Sequence, residues 1–174
     1  MKRFGYILAM LFGLLFVGSA CSDDDDDNTL EVDEVWKAQN EDAFAAKTQD
    51  PEFQKLESQS GAGYILYKVL KQGESTEQVY WTSTVELYYK GTMIDGTVFD
   101  DHSFEHGAPA QFSPSGVVDG FATALQHMHP GDRWEIWIPQ QMGYGKSGST
   151  AGSVMIKPYT TLIFDLELTK IVTQ

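Results

Sequence analysis

The stretch YYKGTMIDGTVFD, residues 88–100, predicts a β-hairpin. The Asp-Gly pair at 95–96 is a strong signal for a tight hairpin turn, because glycine readily takes the positive φ that such turns need. The residues before the turn alternate as a strand does, with Val85, Leu87 and Tyr89 on one face and Glu86, Tyr88 and Lys90 on the other. Residues 98–100 are therefore expected to pair back on this strand.

The sequence on either side of the hairpin predicts more strands and one short helix. Period-two patterns predict strands over 64–70, 110–113, 133–138 and 161–172. A helical pattern predicts a helix over 116–128, which ends before a Pro-Gly pair. Several antiparallel strands around one short helix indicate an α+β domain, placed at residues 61–174.

Size and charge narrow the class of protein. The chain has 174 residues and a formal net charge of −13, with 42% hydrophobic residues. This suits one globular domain with a core plus extensions. Nucleic acid is not expected as a partner, because its phosphates repel such an acidic surface.

The N-terminus is interpreted as an export signal. Lys2 and Arg3 precede an apolar run over residues 4–17, and small residues then lead to Cys21. Residues 1–20 are predicted to be a signal peptide, since the run is short for a membrane-spanning helix. Cys21 resembles the lipidated cysteine of bacterial lipoproteins, which would anchor the protein to a membrane. An ordinary signal peptide followed by an incidental cysteine is the alternative.

Residues 21–29 are predicted to be a solvated tether. The run SDDDDDN, residues 22–28, places five aspartates side by side, and their mutual repulsion prevents burial. An acidic run just after a lipidated cysteine resembles the surface-export signal of Bacteroidetes lipoproteins. We therefore expect a cell-envelope protein anchored in the outer membrane, with the domain facing either the periplasm or the outside.

Residues 30–60 are predicted to form a helical extension. Asn28 and Glu31 are spaced to form a capping box at its start. Apolar residues then fall roughly on one stripe: Val32, Trp36, Ala43 and Ala46. The sequence leaves open whether this stripe packs on the main domain or on the same helix of a second copy, which would form a homodimer.

A second, shorter helix is expected after residue 50. Asp50 can cap it, and Pro51 suits its first position. Phe53 and Leu56 would then point inward. A polar, glycine-containing hinge over residues 58–63 is expected to separate this extension from the domain.

The loop QQMGYGKSG, residues 140–148, contains two overlapping phosphate-binding patterns. The pattern G-x-G-x-x-G is matched by Gly143, Gly145 and Gly148, but it needs a helix directly afterwards, and none is predicted. The P-loop pattern needs another glycine where the chain has Gln140. We therefore interpret the loop as a support for Tyr144 rather than as a nucleotide site, and expect no cofactor.

Neither a metal site nor a hydrolytic set is predicted. His102 and His106 lie in a predicted loop, while His127 and His129 are two apart at a helix end, which splays their side chains. No zinc-ligand pattern fits them, so solvated histidines are expected. The chain also lacks a G-x-S-x-G sequence, which argues against acyl transfer.

Several motifs together resemble those of the FKBP-type peptidyl-prolyl isomerases. The hairpin has aromatic-x-Gly before its Asp-Gly turn and Phe-Asp after it. The other motifs follow in the family's order: VVDGFATALQHMHPGDRWEIWIP at 117–139, MGYG at 142–145 and PYTTLIFDLELTKI at 158–171. The resemblance covers about residues 61–172. It implies an antiparallel sheet wrapped around one short helix.

The resemblance also implies an aromatic pocket for a proline ring. Its catalytic walls and polar contacts would be Tyr89, Phe99, Asp100, Tyr144 and Phe164. Its substrate-binding residues would be Val117 and Val118 at the helix entry, Phe121 at the floor and Ile156 on the far side. Asp100 is expected to accept a hydrogen bond from Tyr89, and Tyr144 to donate its hydroxyl to a substrate carbonyl.

Three positions depart from the family's pattern. Phe121 stands in place of the usual tryptophan, which implies a slightly deeper pocket. Ala110 stands where an aromatic residue is expected, which implies an open wall. Lys157 follows Ile156 where proline is frequent. These changes bear on the rate more than on the fold.

The resemblance implies a peptidyl-prolyl cis-trans isomerase that acts on proline-containing polypeptides and helps exported proteins to fold. Rotation about an X-Pro bond breaks no covalent bond, so the reaction needs neither a nucleophile nor a metal. Two other functions stay open. One is a weakly catalytic or non-catalytic chaperone lipoprotein that binds proline peptides, and the other is a surface lipoprotein for glycans or adhesion.

Overall fold

The computed structural model of the chain describes residues 33–150 and 154–173. Within them are two α-helices, α1 (Glu34–Lys47) and α2 (Asp119–Leu125). Seven strands accompany them: β1 (Gln54–Glu57), β2 (Tyr64–Lys71), β3 (Thr84–Thr92), β4 (Val98–His102), β5 (Ala110–Phe112), β6 (Arg133–Ile138) and β7 (Leu162–Thr173). Single 3-10 turns lie at Phe104–His106, Pro114–Gly116 and Gln140–Met142.

The seven strands form one antiparallel sheet. Its order is β1-β2-β6-β7-β3-β4, and β5 also pairs with β3. Strand β7 covers one edge of β3 along its whole length, whereas β5 and β4 share the other edge, β5 along the first half and β4 along the second. Three strands that follow β3 in the chain, β4, β5 and β7, therefore flank it in the sheet.

The predicted hairpin is confirmed. The N–H of Met93 donates to the carbonyl of Thr97 at 2.9 Å, and the turn returns the chain as β4. Val85 and Leu87 are fully buried and Tyr89 is nearly so, while Lys90 is exposed. The alternation along β3 therefore faces the core as its sequence indicates.

Helix α2 is the one described helix inside the core. Its residues 120–125 are all buried, and it packs against β2 and β6. It is shorter than predicted because Pro114–Gly116 forms a separate 3-10 turn and Val117 and Val118 are extended. An antiparallel sheet around this helix confirms the α+β class.

The second helix predicted after Pro51 is wrong. Residues 54–57 instead form β1, which pairs with β2 from Gln54 opposite Tyr67 to Glu57 opposite Tyr64. Leu56 still packs against the core, but it does so from a strand. A strand forms here instead of a helix because pairing satisfies the backbone N–H and C=O groups of β1 and covers the open edge of β2.

Helix α1 packs on its own domain. Its N-cap is Asp33, whose carboxylate accepts a hydrogen bond from the N–H of Trp36, and Trp36 packs against the core cluster. Trp36 of the predicted stripe thus packs on the main domain, whereas Ala46 is exposed. The predicted capping box of Asn28 with Glu31, the signal peptide, Cys21 and the acidic tether lie outside the described residues.

Neither described helix is long and apolar enough to cross a membrane.

The close approach of α2 to β6 predicts the effect of one substitution. A Cβ at Gly120 would lie 2.3 Å from Cγ2 of the buried Ile138. Alanine favours a helix over glycine by about 1 kcal/mol, but the overlap should dominate, so Gly120→Ala is expected to lower the free energy of unfolding by about 1–3 kcal/mol. Urea unfolding measures this change.

Gly116→Ala is the matched control, because a Cβ there meets nothing within 4 Å. It should change stability by less than about 0.5 kcal/mol. An equal or greater stability of Gly120→Ala would contradict the packing of α2 on β6.

Candidate active site

A cavity of about 400 Å³ opens between α2 and the sheet. Its walls are mainly aromatic and aliphatic, with Asp100 and two tyrosines as the polar exceptions. The lining residues are Tyr89, Phe99, Asp100, Phe112, Gly116, Val117, Val118, Phe121, Tyr144 and Phe164. Four strands, one helix and two connecting segments therefore contribute to one apolar site.

The inner part of the cavity is built from rings packed edge to face. The Phe121 and Phe164 ring centroids are 5.0 Å apart at 79°, and those of Phe99 and Phe164 are 5.4 Å apart at 87°. Gly91 permits this packing, since a Cβ there would come within 2.6 Å of the Phe99 ring and 2.9 Å of the Phe164 ring. Edge-to-face pairs stabilise aromatic clusters beyond the area they bury, so the walls have a defined shape.

Tyr89 and Asp100 form a polar pair at the boundary of the cavity. The Tyr89 hydroxyl donates to Oδ2 of Asp100 at 2.6 Å, which confirms the predicted bond. Burial, together with the Asp100 carboxylate, raises the pKa of Tyr89 far above its ordinary value, so the hydroxyl stays protonated and holds the carboxylate. The His102 ring stacks on Tyr89, and its Nε2 lies 3.7 Å from Oδ1 of Asp100.

Tyr144 lies on the rim and is 39% exposed. Its loop is tied down by backbone bonds: the Gly148 N–H donates to the Tyr144 carbonyl at 3.2 Å, and the Tyr159 N–H to the Gly145 carbonyl at 2.9 Å. Partial burial and the Asp100 charge raise the pKa of Tyr144, which keeps its hydroxyl a donor. That hydroxyl has no hydrogen-bond partner among the residues described.

The entry to α2 presents backbone as well as side chains. Val118 is the N-cap of α2, and its N–H donates to no described residue. Asp119 fixes this point, because its carboxylate accepts hydrogen bonds from the hydroxyls of Ser58 at 3.0 Å and Ser60 at 2.7 Å. The turn between β1 and β2 thereby holds the start of α2 at the mouth of the cavity.

The structure brings together all of the predicted pocket residues except one. Ile156 is buried in the core and is bridged to Ser149, and it does not line the cavity among the described residues. Phe112 was missed, although it lies two residues after Ala110 on the same face of β5. Its ring packs on those of Tyr89 and Phe121, at 5.7 and 6.3 Å. Phe112 is therefore the aromatic residue that β5 supplies to the cavity.

The histidines and the glycine loop make contacts within the fold. His106 lies 3.2 Å from Asp101, and His127 contacts the Thr123 carbonyl one helical turn away. Residues 33–150 and 154–173 contain no group of three or more His, Cys, Asp or Glu side chains that could hold a metal. After the glycine loop, Ser149 pairs with Ile156 in a bridge instead of starting a helix.

The raised pKa of Tyr89 predicts how stability changes in alkali. The pKa of Tyr89 in the folded chain lies above that of an unfolded tyrosine, which is about 10. The contribution of the protonated Tyr89 hydroxyl to the free energy of unfolding is therefore complete below pH about 10. It is lost as the pH rises further, since only the unfolded chain then releases the proton. Between pH about 10 and 11, wild type should lose up to about 1.4 kcal/mol of unfolding free energy more than Tyr89→Phe.

Urea unfolding at several pH values measures this difference. Tyr80→Phe serves as the control, because Tyr80 is half exposed and outside the cavity. Parallel curves for wild type and Tyr89→Phe would mean that burial and the bond to Asp100 do not raise the pKa of this hydroxyl in the folded chain.

Two known proteins are similar in sequence to this chain. Over 107 residues the chain is 42% identical to the FKBP-type 22 kDa peptidyl-prolyl cis-trans isomerase of Escherichia coli, covering 62% of this chain and 50% of that protein. Over 104 residues it is 39% identical to the outer membrane protein MIP of Legionella longbeachae, covering 60% of this chain and 42% of that protein. The chain thus spans half or less of the length of these two relatives.

A solved structure agrees with the sequence relatives. A peptidyl-prolyl cis-trans isomerase from Pseudomonas syringae superposes with a TM-score of 0.69 at 28% identity, covering 84% of this chain and 99% of that one. Residues 75–169, which include all residues that line the cavity, match the family described as FKBP-type peptidyl-prolyl cis-trans isomerase. The resemblance of the sequence is confirmed, and the chain belongs to the FKBP-type peptidyl-prolyl cis-trans isomerase family.

Proposed function

We propose that this protein is a peptidyl-prolyl cis-trans isomerase that acts on proline-containing polypeptides. The observation that carries the proposal is the aromatic cavity with polar groups only at its boundary. Among its described lining residues there is no serine, cysteine or lysine that could act as a nucleophile, and no histidine that could activate one as a base. Such a site suits a reaction in which a bond rotates and none is broken.

The apolar walls provide the main catalytic effect. A planar X-Pro amide has charge separated between oxygen and nitrogen, whereas the twisted amide has lost this conjugation. The barrier to rotation about a peptide bond is about 18–20 kcal/mol. Moving the bond from water to an apolar cavity therefore disfavours the planar form relative to the twisted one. Catalysis follows from this difference, since each 1.36 kcal/mol of preferential stabilisation gives a factor of about ten in rate.

The polar groups orient the peptide around the proline ring. The Val118 N–H and the Tyr144 hydroxyl have no hydrogen-bond partner among the described residues, so both are free to donate to substrate carbonyls. Asp100 is fixed by Tyr89 and places a negative charge beside the twisting carbonyl. In this proposal Tyr89, Phe99, Asp100, Tyr144 and Phe164 are catalytic, and Val117, Val118 and Phe121 bind the substrate.

Isomerisation of a short X-Pro peptide by the purified full chain tests the function. Tyr144→Phe should lower kcat/KM by about tenfold, because it removes one hydrogen bond that stabilises the transition state. Asp100→Asn should lower it at least as much, because it loosens the Tyr89 contact. Tyr80→Phe, at a half-exposed tyrosine outside the cavity, is the control and should leave the rate unchanged.

Two results would contradict the proposal. A folded wild-type protein that does not accelerate isomerisation would leave the non-catalytic, proline-peptide-binding chaperone as the function. Wild-type activity that survives both substitutions would place the catalytic site elsewhere.

We also propose that the protein is lipidated at Cys21 and anchored to the outer membrane, where it assists the folding of exported proteins. The signal-like residues 1–20, the single cysteine and the acidic run at 22–28 support this, as in Bacteroidetes lipoproteins. The relative named as an outer membrane protein supports a location in the cell envelope. The domain would face either the periplasm or the cell surface.

Cys21→Ser is expected to abolish attachment of a labelled fatty acid and to move the protein from the membrane fraction to the soluble fraction, since no other cysteine can carry the lipid. Metabolic labelling and fractionation measure both effects. Continued labelling of the variant would exclude Cys21 as the anchor. Added protease on intact cells then distinguishes the two faces of the membrane.

A homodimer through the N-terminal helices would need a different surface from the one predicted. Trp36 and Asn40 of α1 are bound to their own domain, whereas Val35 is 68% exposed on the other side of the helix. Any pairing of two copies through α1 would therefore use the face with Val35.

A further inference from the structure

Helix α1 lies outside the family-matching segment but is bound to the chain that leads into β7. The Trp36 indole donates from Nε1 to Oγ1 of Thr160 at 2.9 Å. Oδ1 of Asn40 accepts from the N–H of Thr161 at 2.8 Å, and Asn40 is completely buried. The ammonium of Lys157 lies 3.1 Å from the carboxylate of Asp33. Residues 157–161, called here the latch segment, are thus held along most of their length by one helix.

The latch segment in turn supports the loop that carries Tyr144. The N–H of Tyr159 donates to the carbonyl of Gly145 at 2.9 Å, directly after Tyr144. Tyr159 has φ of 62° and is the one non-glycine residue with positive φ in the described part of the chain. Such a backbone persists only where its surroundings hold it. The Lys37 ammonium, 4.8 Å from the Tyr159 ring, adds a further contact from α1.

From this continuous set of contacts we propose that α1 positions Tyr144. The helix holds the latch segment, and the latch segment holds the loop through the bond from Tyr159 to Gly145. Residues outside the family-matching segment thereby tune the rim of the cavity. The effect on catalysis rests on the proposed isomerase function, but the positioning of the loop does not.

A substitution of Asn40 is the best test of whether α1 positions Tyr144. Its Nδ2 donates to the Trp36 carbonyl at 2.8 Å while its Oδ1 holds the Thr161 N–H, so both ends of the amide are used. Asn40→Ala leaves that N–H unpaired in a buried place. Its neighbour Gln39 carries the same amide group but is exposed, and therefore Gln39→Ala is the matched control.

Hydrogen exchange of the full chain measures the positioning without reference to activity. Asn40→Ala should speed exchange of the Tyr159 and Gly148 amides by about tenfold or more, because the Tyr159 N–H lies on the latch segment and the Gly148 N–H lies in the loop that this segment supports. Amides of the hairpin between β3 and β4 should exchange as in wild type. Gln39→Ala should change none of them.

Isomerase kinetics in a double-mutant cycle then show whether α1 acts through Tyr144. Asn40→Ala alone should lower kcat/KM by about three- to tenfold, since a displaced group loses its alignment with the substrate. In a Tyr144→Phe background the same change should lower it by less than about twofold, because coupled residues are not additive.

Either of two results would overturn the proposal. One is unchanged exchange of Tyr159 and Gly148 in Asn40→Ala, and the other is an equal loss of activity with and without the Tyr144 hydroxyl. If Asn40→Ala does not fold, Trp36→Phe takes its place, because it keeps an aromatic ring at this position and removes the donor to Thr160. If wild type shows no isomerase activity, the proposed function fails and the exchange comparison alone decides this inference.

Discussion

The edge-to-face contact between Phe121 and Phe164 joins α2 to the centre of the sheet, with the ring centroids 5.0 Å apart. Phe164 lies on β7, the strand that pairs with both β3 and β6. The same two rings form the inner wall of the cavity. The core and the candidate site are therefore one packed cluster, and a change that loosens the helix also changes the shape of the cavity.

Contacts between distant segments fix the polar boundary of this cluster. Tyr89 of β3 holds Asp100 of β4, and the turn after β1 holds Asp119 at the start of α2. The latch segment holds the loop of Tyr144. Each of these bonds crosses between elements rather than stabilising one of them. They place the donors and the carboxylate at the mouth of the cavity while its interior stays apolar.

Short-range pattern predicted most of the fold. The Asp-Gly turn and the alternation along β3 have local causes, so the hairpin and its buried face follow from neighbouring residues. The helix expected after residue 50 is wrong because residues 54–57 pair with residues 64–67 of β2, and this pairing is not visible in the local sequence. Phe112 was missed for a similar reason. The strand register places Phe112 opposite Val85, and only the packing of the folded chain brings its ring onto that of Tyr89.

The sequence by itself determined the α+β class, the hairpin, the family and nearly all of the residues in the cavity, because these depend on local periodicity and on motifs in a constant order. Tertiary structure alone decided two things: that residues 54–57 form an edge strand and that α1 packs on its own domain. In each case the deciding groups are far apart in the chain. Asn40 and Thr161 are separated by 121 positions, and no local pattern links a buried amide to the N–H that it satisfies.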